Sequence, residues 1–96
     1  MNLDGLRTEI DRIDGKVLKL IAKRLKLCSE ISEHKRKNRL KVLDKGREAE
    51  IIRDRISKFQ KLGFEDQKFV KELFRLLMNK SKEIQKRLIK RKGLYL

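Results

Sequence analysis

Apolar side chains recur every three or four positions along the first third of the chain, which is the spacing of one face of an α-helix. Counted in heptads, one seam position carries Leu3, Ile10, Val17, Arg24 and Ile31, and the other carries Leu6, Ile13, Leu20 and Leu27. The pattern predicts a single long helix from about Leu3 to Asn38. Its interior glycine, Gly15, weakens the helix by ~1 kcal/mol without ending it.

Two shorter helices are predicted in the rest of the chain. The second starts near Asp44, whose carboxylate can cap the first exposed amides, and stops at Gly63, a residue typical of helix C-termini. The third begins at Glu65 or Asp66 and frays towards Gly93. The second helix has an apolar face of Ile51, Ile52, Ile56 and Phe59, and the third has a stripe of Val70, Leu73, Phe74, Leu77, Ile84 and Leu88.

The length of the first helix predicts an assembly of two chains. Thirty-odd residues form a rod of ~50 Å, whereas a compact 100-residue domain has a radius of gyration of only ~13 Å. The rod would project from its own globule with its apolar seam exposed to water. Contact with a second copy of the chain is the simplest way to bury that seam. We therefore expect one all-α domain over residues 1–96, with three helices, that forms an intertwined or antiparallel homodimer.

The charge of the chain predicts an anionic partner. The 96 residues carry a formal net charge of +14, and 44% of them are charged. Such a surplus suits a small polyanion, nucleic acid or an acidic membrane surface, although the lysine-rich surface of a heat-adapted protein also accounts for it. The single cysteine excludes an internal disulfide and suits a reducing compartment. No apolar run approaches the ~20 residues that span a bilayer, so we expect a cytoplasmic protein outside membranes.

Arg24 occupies a seam position where an apolar residue is expected. Because an uncompensated buried charge costs on the order of several kcal/mol, this arginine sets the helix register, extends to water or faces an anion. Arg24, Cys28, Ile31 and Lys35 share one helix face. Arg24 and Lys35 lie ~16 Å apart along the axis, which frames a slot with a cation at each end, sized for a small anionic molecule.

Polar residues of the other two helices are further candidates. Ser81 and Gln85 are neutral hydrogen-bonding residues one turn apart in a segment rich in lysine and arginine, although an ordinary helix surface also accommodates them. Asp44, Arg47 and Glu48 cluster at a helix start, where acidic capping is routine. Arg47 at the third position breaks the capping-box pattern, which leaves Glu48 available for another role.

Arg7 lies on the same predicted helix as Arg24, ~25 Å further towards its N-terminus. One arginine therefore cannot reach a small ligand that the other holds in the same chain. If both serve one site, Arg7 comes from the partner protomer, and the site depends on the dimer.

Together these positions resemble the all-helical chorismate mutases, a family of short three-helix chains that form an intertwined dimer. The segment LRTEIDRIDGKVLKLIAKRLKL is similar to the N-terminal signature of that family, an arginine, an I-D-x-I-D-type run and a second arginine. The similarity continues through Lys35, the D-x-x-R-E run from Asp44 to Glu48, and the S-x-x-x-Q pair of Ser81 and Gln85. It covers nearly the whole chain.

The resemblance implies an enzyme that rearranges chorismate to prephenate, a step towards phenylalanine and tyrosine, without a metal or other cofactor. Arg24 and Arg7 of the partner subunit would bind the two carboxylates of chorismate. Ser81 and Arg47 would assist at these carboxylates.

The remaining implied roles concern the substrate's ring hydroxyl and its ether oxygen. Asp44 and Glu48 would meet the hydroxyl, and Lys35 and Gln85 would hydrogen-bond the ether oxygen. The sequence departs from the family in lacking a proline between the first two helices and in carrying lysines on both sides of Ser81. Neither departure removes a residue with an implied role.

Other interpretations stay open at this point. A basic helical nucleic-acid-binding protein accounts for the charge but gives no role to Arg24, Ser81 or Gln85, and the chain lacks an aromatic base-stacking platform. The same scaffold can act on isochorismate as a lyase or on the amino analogue of chorismate, and only the resemblance makes Asp44 and Glu48 favour the hydroxyl-bearing substrate. A purely structural coiled-coil dimer is the third alternative.

Overall fold

The computed structural model describes residues 2–41 and 44–91, with the backbone alone at 88–91, and every regular element in these ranges is a helix. The order is α1 (Leu3–Lys37), α2 (Lys45–Lys61) and α3 (Gln67–Arg91). The prediction of an all-α chain with three helices and one very long N-terminal helix is confirmed. Over the described residues, no helix has the length and apolar character needed to cross a membrane.

The first helix, α1, has a defined cap at each end. The Asn2 side chain accepts a hydrogen bond from the Gly5 amide at 2.8 Å, which satisfies one of the exposed first-turn donors. At the other end Asn38 is the C-cap, and Arg39 adopts the left-handed conformation with φ 53°. The Leu40 amide then returns to a carbonyl of the last helical turn at 2.8 Å. This is a Schellman motif with an arginine at the position that glycine usually occupies.

The second helix, α2, begins and ends as predicted. Asp44 is its N-cap, and the carboxylate accepts a hydrogen bond from the Arg47 amide at 2.9 Å. Gly63 follows the helix with φ 96°. The Phe64 amide returns to the Phe59 carbonyl at 3.2 Å, and the two rings stack with their centroids 5.2 Å apart. The glycine and the aromatic pair supply the left-handed residue and the apolar contact of a second Schellman motif.

The third helix, α3, starts close to its predicted position. The Asp66 side chain accepts a hydrogen bond from the Phe69 amide at 3.0 Å and so caps the first turn. The helix continues to Arg91. The predicted core position Leu88 and the predicted fraying towards Gly93 lie outside the described side chains and residues.

The buried face of α3 differs in part from the predicted apolar stripe. Val70 is buried as expected, but Leu73 remains 36% exposed. Further along, the buried positions are Met78, Ser81 and Gln85. The difference arises because α3 packs against both α1 and α2, so the side of α3 that faces the junction of these helices is buried whether or not it is apolar.

The described part of the chain has a small core and an extended shape. Its buried apolar side chains are Ile51, Val70 and Met78. The molecule measures 58 × 26 × 16 Å, and its radius of gyration is 17.0 Å, compared with ~13 Å for a compact domain of this length. The predicted seam in the N-terminal half of α1 is between 45% and 65% exposed at Leu3, Leu6, Ile10, Ile13, Val17 and Leu20. A single chain therefore leaves uncovered the surface on which the dimer prediction depends.

Candidate active site

A cavity of about 420 Å³ lies between the three helices, and we call it the three-helix cavity. Its volume falls within the range of small-molecule sites in proteins. From α1 it is lined by Arg24, Leu27, Cys28, Ile31 and Lys35, from α2 and its cap by Asp44, Arg47, Glu48, Ile51 and Arg55, and from α3 by Met78, Ser81, Lys82 and Gln85. Five of these side chains are cationic and two are carboxylates, so the lining favours an anionic ligand.

Most of the predicted site residues are brought together in this cavity. Seven of the eight line it, namely Arg24, Lys35, Asp44, Arg47, Glu48, Ser81 and Gln85. The eighth, Arg7, is exposed in the N-terminal half of α1 and does not line the cavity of its own chain. A rigid helix separates Arg7 from Arg24 by ~25 Å, as the sequence predicts.

Arg24 is held inside the cavity by a hydroxyl group of α3. Its Nη1 donates to Ser81 Oγ at 3.3 Å, and Cys28 Sγ donates to the same oxygen at 3.2 Å. Ser81 Oγ in turn donates to the Leu77 carbonyl at 2.9 Å. The proton of this buried hydroxyl is therefore committed to the backbone, and its oxygen faces the guanidinium.

Gln85 is the residue of the cavity whose polar group is least satisfied. The side chain is only 6% exposed, and its Oε1 has no hydrogen-bond partner within the described part of the chain. A buried amide oxygen without a hydrogen bond lowers the stability of the folded state by about 1–3 kcal/mol. A ligand that supplies a donor removes this cost, and rotation of the amide presents its NH₂ group to a ligand acceptor instead.

The start of α2 contributes three charged groups with different local partners. The Asp44 carboxylate caps the helix through the Arg47 amide. The Arg47 guanidinium forms a salt bridge with Glu50 at 2.7 Å, and both of these side chains are more than half exposed. Glu48 instead reaches α3, where its Oε1 lies 2.8 Å from Lys82 Nζ.

Two cationic residues of the cavity, Lys82 and Arg55, are absent from the predicted site. Lys82 is adjacent to Ser81. In the sequence it stood out only as one of the two lysines that add positive charge beside that serine. Arg55 lies two helical turns after Glu48, a spacing that placed it on the same face of α2. Its guanidinium lies 5.8 Å from the centre of the Phe74 ring.

Arg55 is also the main influence on a neighbouring carboxyl group. The hydrogen bond from Arg55 to Asp54, followed by that from Lys58, holds the pKa of the Asp54 carboxyl below its usual value. The Asp54 carboxylate offsets part of the charge of Arg55. Within the described ranges no group of three or more histidine, cysteine or acidic side chains is arranged to hold a metal ion.

Comparison with known proteins identifies the family. Residues 6–86 match the family described as chorismate mutase type II. The chain belongs to this family. The resemblance seen in the sequence is thus confirmed, and the part of the chain that matches contains all eight predicted site residues.

Individual chorismate mutases support the assignment. A chorismate mutase from Methanocaldococcus jannaschii is 37% identical over 84 residues, which are 88% of this chain and 84% of that protein. Two bifunctional chorismate mutase/prephenate dehydratases, from Buchnera aphidicola subsp. Schizaphis graminum and subsp. Acyrthosiphon pisum, are 33% and 32% identical over 88 and 85 residues. The chain spans 23% and 22% of the length of these two bifunctional relatives. No solved structure matches it.

Proposed function

We propose that the protein rearranges chorismate to prephenate in the three-helix cavity, with each site completed by a second copy of the chain. The observation that carries the proposal is the convergence of seven predicted polar residues from three helices on one cationic cavity, in a chain of the chorismate mutase family. Chorismate is a small dianion, and a cavity lined by five cations and two carboxylates suits its charge.

The arginine residues bind the two carboxylates of the substrate in this proposal. Arg24 binds one of them from within the chain, and Ser81 supports Arg24 by accepting its hydrogen bond. Arg7 of the partner subunit binds the other. Arg47 assists by releasing Glu50 and contacting a carboxylate of the substrate instead. This exchange is feasible because the salt bridge between Arg47 and Glu50 is exposed and weak.

The reacting part of the substrate lies between Lys35 and Gln85. The reaction breaks one carbon–oxygen bond and forms one carbon–carbon bond within the same molecule, so it needs no co-reactant. The protein lowers the barrier by holding the folded conformer in which the two ends meet. Lys35 and Gln85 donate hydrogen bonds to the ether oxygen as negative charge develops on it, and a preorganised donor of this kind contributes ~3–4 kcal/mol.

The two carboxylates of the cavity recognise the ring hydroxyl. Asp44 and Glu48 stand at the start of α2 and both line the cavity. A carboxylate accepts a hydrogen bond from a hydroxyl group, whereas it repels a substrate that carries a further negative charge there. These two residues therefore suit a substrate with a hydrogen-bond donor at this position, and it is the family resemblance that favours the hydroxyl-bearing chorismate.

The dimer is part of the proposal because the site is incomplete in one chain. The exposed seam of α1 provides a long apolar surface, and a second apolar surface, a cleft of about 230 Å³, lies between α2 and α3 with Phe59, Phe69, Leu73 and Phe74 in its lining. Contact between such surfaces of two copies buries both and carries Arg7 towards the other cavity. A single half-buried cysteine suits the cytoplasm, where we place the protein.

One assay tests the function. Purified protein is mixed with chorismate, the loss of chorismate absorbance is followed, and the product is identified by chromatography. We expect prephenate as the single product, and Lys35→Ala should abolish turnover while the helical circular dichroism spectrum is retained. Release of pyruvate from isochorismate with no action on chorismate would instead identify a lyase and overturn the proposal.

A further inference from the structure

A salt bridge between α2 and α3 joins two residues of the three-helix cavity. Lys82 Nζ and Glu48 Oε1 lie 2.8 Å apart, and their side chains are 27% and 28% exposed. Both residues line the cavity. Glu48 has a proposed role at the ring hydroxyl, whereas Lys82 has none, so the reason for a lysine at this position is open.

The neighbours of Lys82 on α3 explain why it reaches across to α2. Glu83 is the acidic residue next to it, but Glu83 is engaged by Lys80 at 3.4 Å and by Arg87. Lys82 also points to a different side of the helix from its neighbour, since adjacent residues of a helix do not share a face.

The neighbours of Glu48 on α2 leave it available for this contact. Arg47, the cation adjacent to it, forms its salt bridge with Glu50 at 2.7 Å. Glu48 is therefore held by a residue of another helix, and the contact fixes the direction of its carboxylate relative to α3, which also carries Gln85.

We propose that Lys82 is a positioning residue for Glu48, an inference that rests on the proposed function. The Lys82 ammonium holds Oε1 of the carboxylate and leaves Oε2 to accept the hydrogen bond of the substrate's ring hydroxyl. A glutamate side chain has several rotatable bonds, and a group that is fixed before the substrate binds loses less freedom in the transition state. Lys82 thus acts on the reaction through Glu48 and not through direct contact with the substrate.

The competing explanation is that Lys82 only adds positive charge that attracts the dianion. The two explanations differ in how the effect of Lys82 depends on Glu48. A positioning residue has no effect once Glu48 can no longer be positioned, whereas an attractive charge keeps its effect and acts mainly on KM. A double-mutant cycle separates these cases.

The experiment measures steady-state kinetics with chorismate for the full chain and for Lys82→Met, Glu48→Met and the double variant. We expect Lys82→Met to lower kcat/KM by about tenfold in the wild-type background, mainly through kcat, and to have no further effect in the Glu48→Met background. Lys82→Arg should recover most of the activity, because arginine also reaches the carboxylate. The matched control Lys80→Met removes the same charge from the same helix and should leave kcat/KM near the wild-type value.

Each alternative result has a distinct meaning. A loss that persists in the Glu48→Met background, or an equal loss in Lys80→Met, shows that Lys82 acts as a general charge and overturns the inference. If the wild type converts chorismate and Lys82→Met is equally active, the inference is overturned and the proposed function stands. A wild type that does not convert chorismate overturns both. Circular dichroism spectra verify that each variant retains its helices.

Discussion

The Arg24 guanidinium donates a hydrogen bond to the Ser81 hydroxyl oxygen at 3.3 Å, and this contact joins α1 to α3 inside the three-helix cavity. The hydroxyl proton is directed away from Arg24, to the Leu77 carbonyl. Ser81 therefore presents a lone pair to the guanidinium, and it influences the substrate's carboxylate by fixing the arginine that binds it.

We expect Ser81→Ala to weaken substrate binding through Arg24. The variant removes a buried acceptor of a charged donor, and such a hydrogen bond contributes ~1.5–3 kcal/mol. KM for chorismate should rise on the order of tenfold, measured by steady-state kinetics. Ser57→Ala, an exposed serine on α2, is the matched control and should change nothing. An unchanged KM in Ser81→Ala would show that the contact does not position Arg24.

Arg47 should bind substrate more readily once its present partner is removed. Its salt bridge to Glu50 is exposed at both ends, and pairs of this kind contribute only ~0.2–1 kcal/mol. We therefore expect Glu50→Gln to lower KM by up to about fivefold with little change in kcat. Glu9→Gln is the control, since Glu9 and Arg12 form an equivalent exposed pair at 2.8 Å on α1. A raised KM in Glu50→Gln would mean that Glu50 orients Arg47 for binding.

The proposed role of Gln85 predicts a change in pH dependence. A glutamine amide donates a hydrogen bond at any ordinary pH, but a carboxyl group donates only when it is protonated. The carboxyl group in Gln85→Glu donates only below its own pKa, which is ~4.3 for an unperturbed glutamate. Its kcat should therefore be highest in acid and fall as the pH rises through that pKa.

The pH profiles of kcat provide the measurement and its control. Gln60→Glu, at an exposed position of α2, should follow the wild-type profile. If Gln85→Glu also follows it, Gln85 does not donate to the ether oxygen.

The proposed role of Arg7 in the partner's site predicts that two inactive variants regain activity when they are mixed. Arg7→Ala and Arg24→Ala should each be inactive alone, because every site lacks one arginine. In a mixed dimer of the two, one site carries both changes and the other carries none, so a 1:1 mixture after subunit exchange should recover about a quarter of wild-type activity.

A second mixture is the control for this result. Arg24 and Lys35 line the same cavity of one chain, so a mixture of Arg24→Ala and Lys35→Ala leaves no intact site and should stay inactive. Activity that fails to recover in the first mixture, with mixed dimers demonstrated by native mass spectrometry, would place Arg7 outside the site.

The end of α1 predicts a stabilising substitution. Arg39 has φ 53°, a conformation that costs a residue with a Cβ atom ~1–2 kcal/mol and costs glycine little. Arg39→Gly should raise the free energy of unfolding by ~1 kcal/mol, measured by urea denaturation at a fixed protein concentration. Gly63→Ala, at φ 96° after α2, should lower it by a similar amount. A destabilised Arg39→Gly would show that the arginine side chain contributes more than the backbone strain costs.

Features encoded by neighbouring residues could be predicted from the sequence. The bounds of α1, the Asp44 cap and the glycine after α2 follow from signals within one or two helical turns. The same holds for the face shared by Arg24 and Lys35, since helix geometry fixes which residues lie together. The all-α fold followed from these local signals, and the resemblance added seven of the residues that line the three-helix cavity.

The tertiary structure alone decided which partner each charged group contacts. The chain has 28 lysine and arginine residues and 14 acidic ones, and a helix pattern does not state how far one helix lies from another. Only the packing of α3 against α1 and α2 revealed that Lys82 reaches Glu48, that Arg55 lines the cavity and that the oxygen of Gln85 is buried with no partner among the described residues. These contacts join residues far apart in the chain, so their distances depend on helix packing, which local sequence signals do not encode.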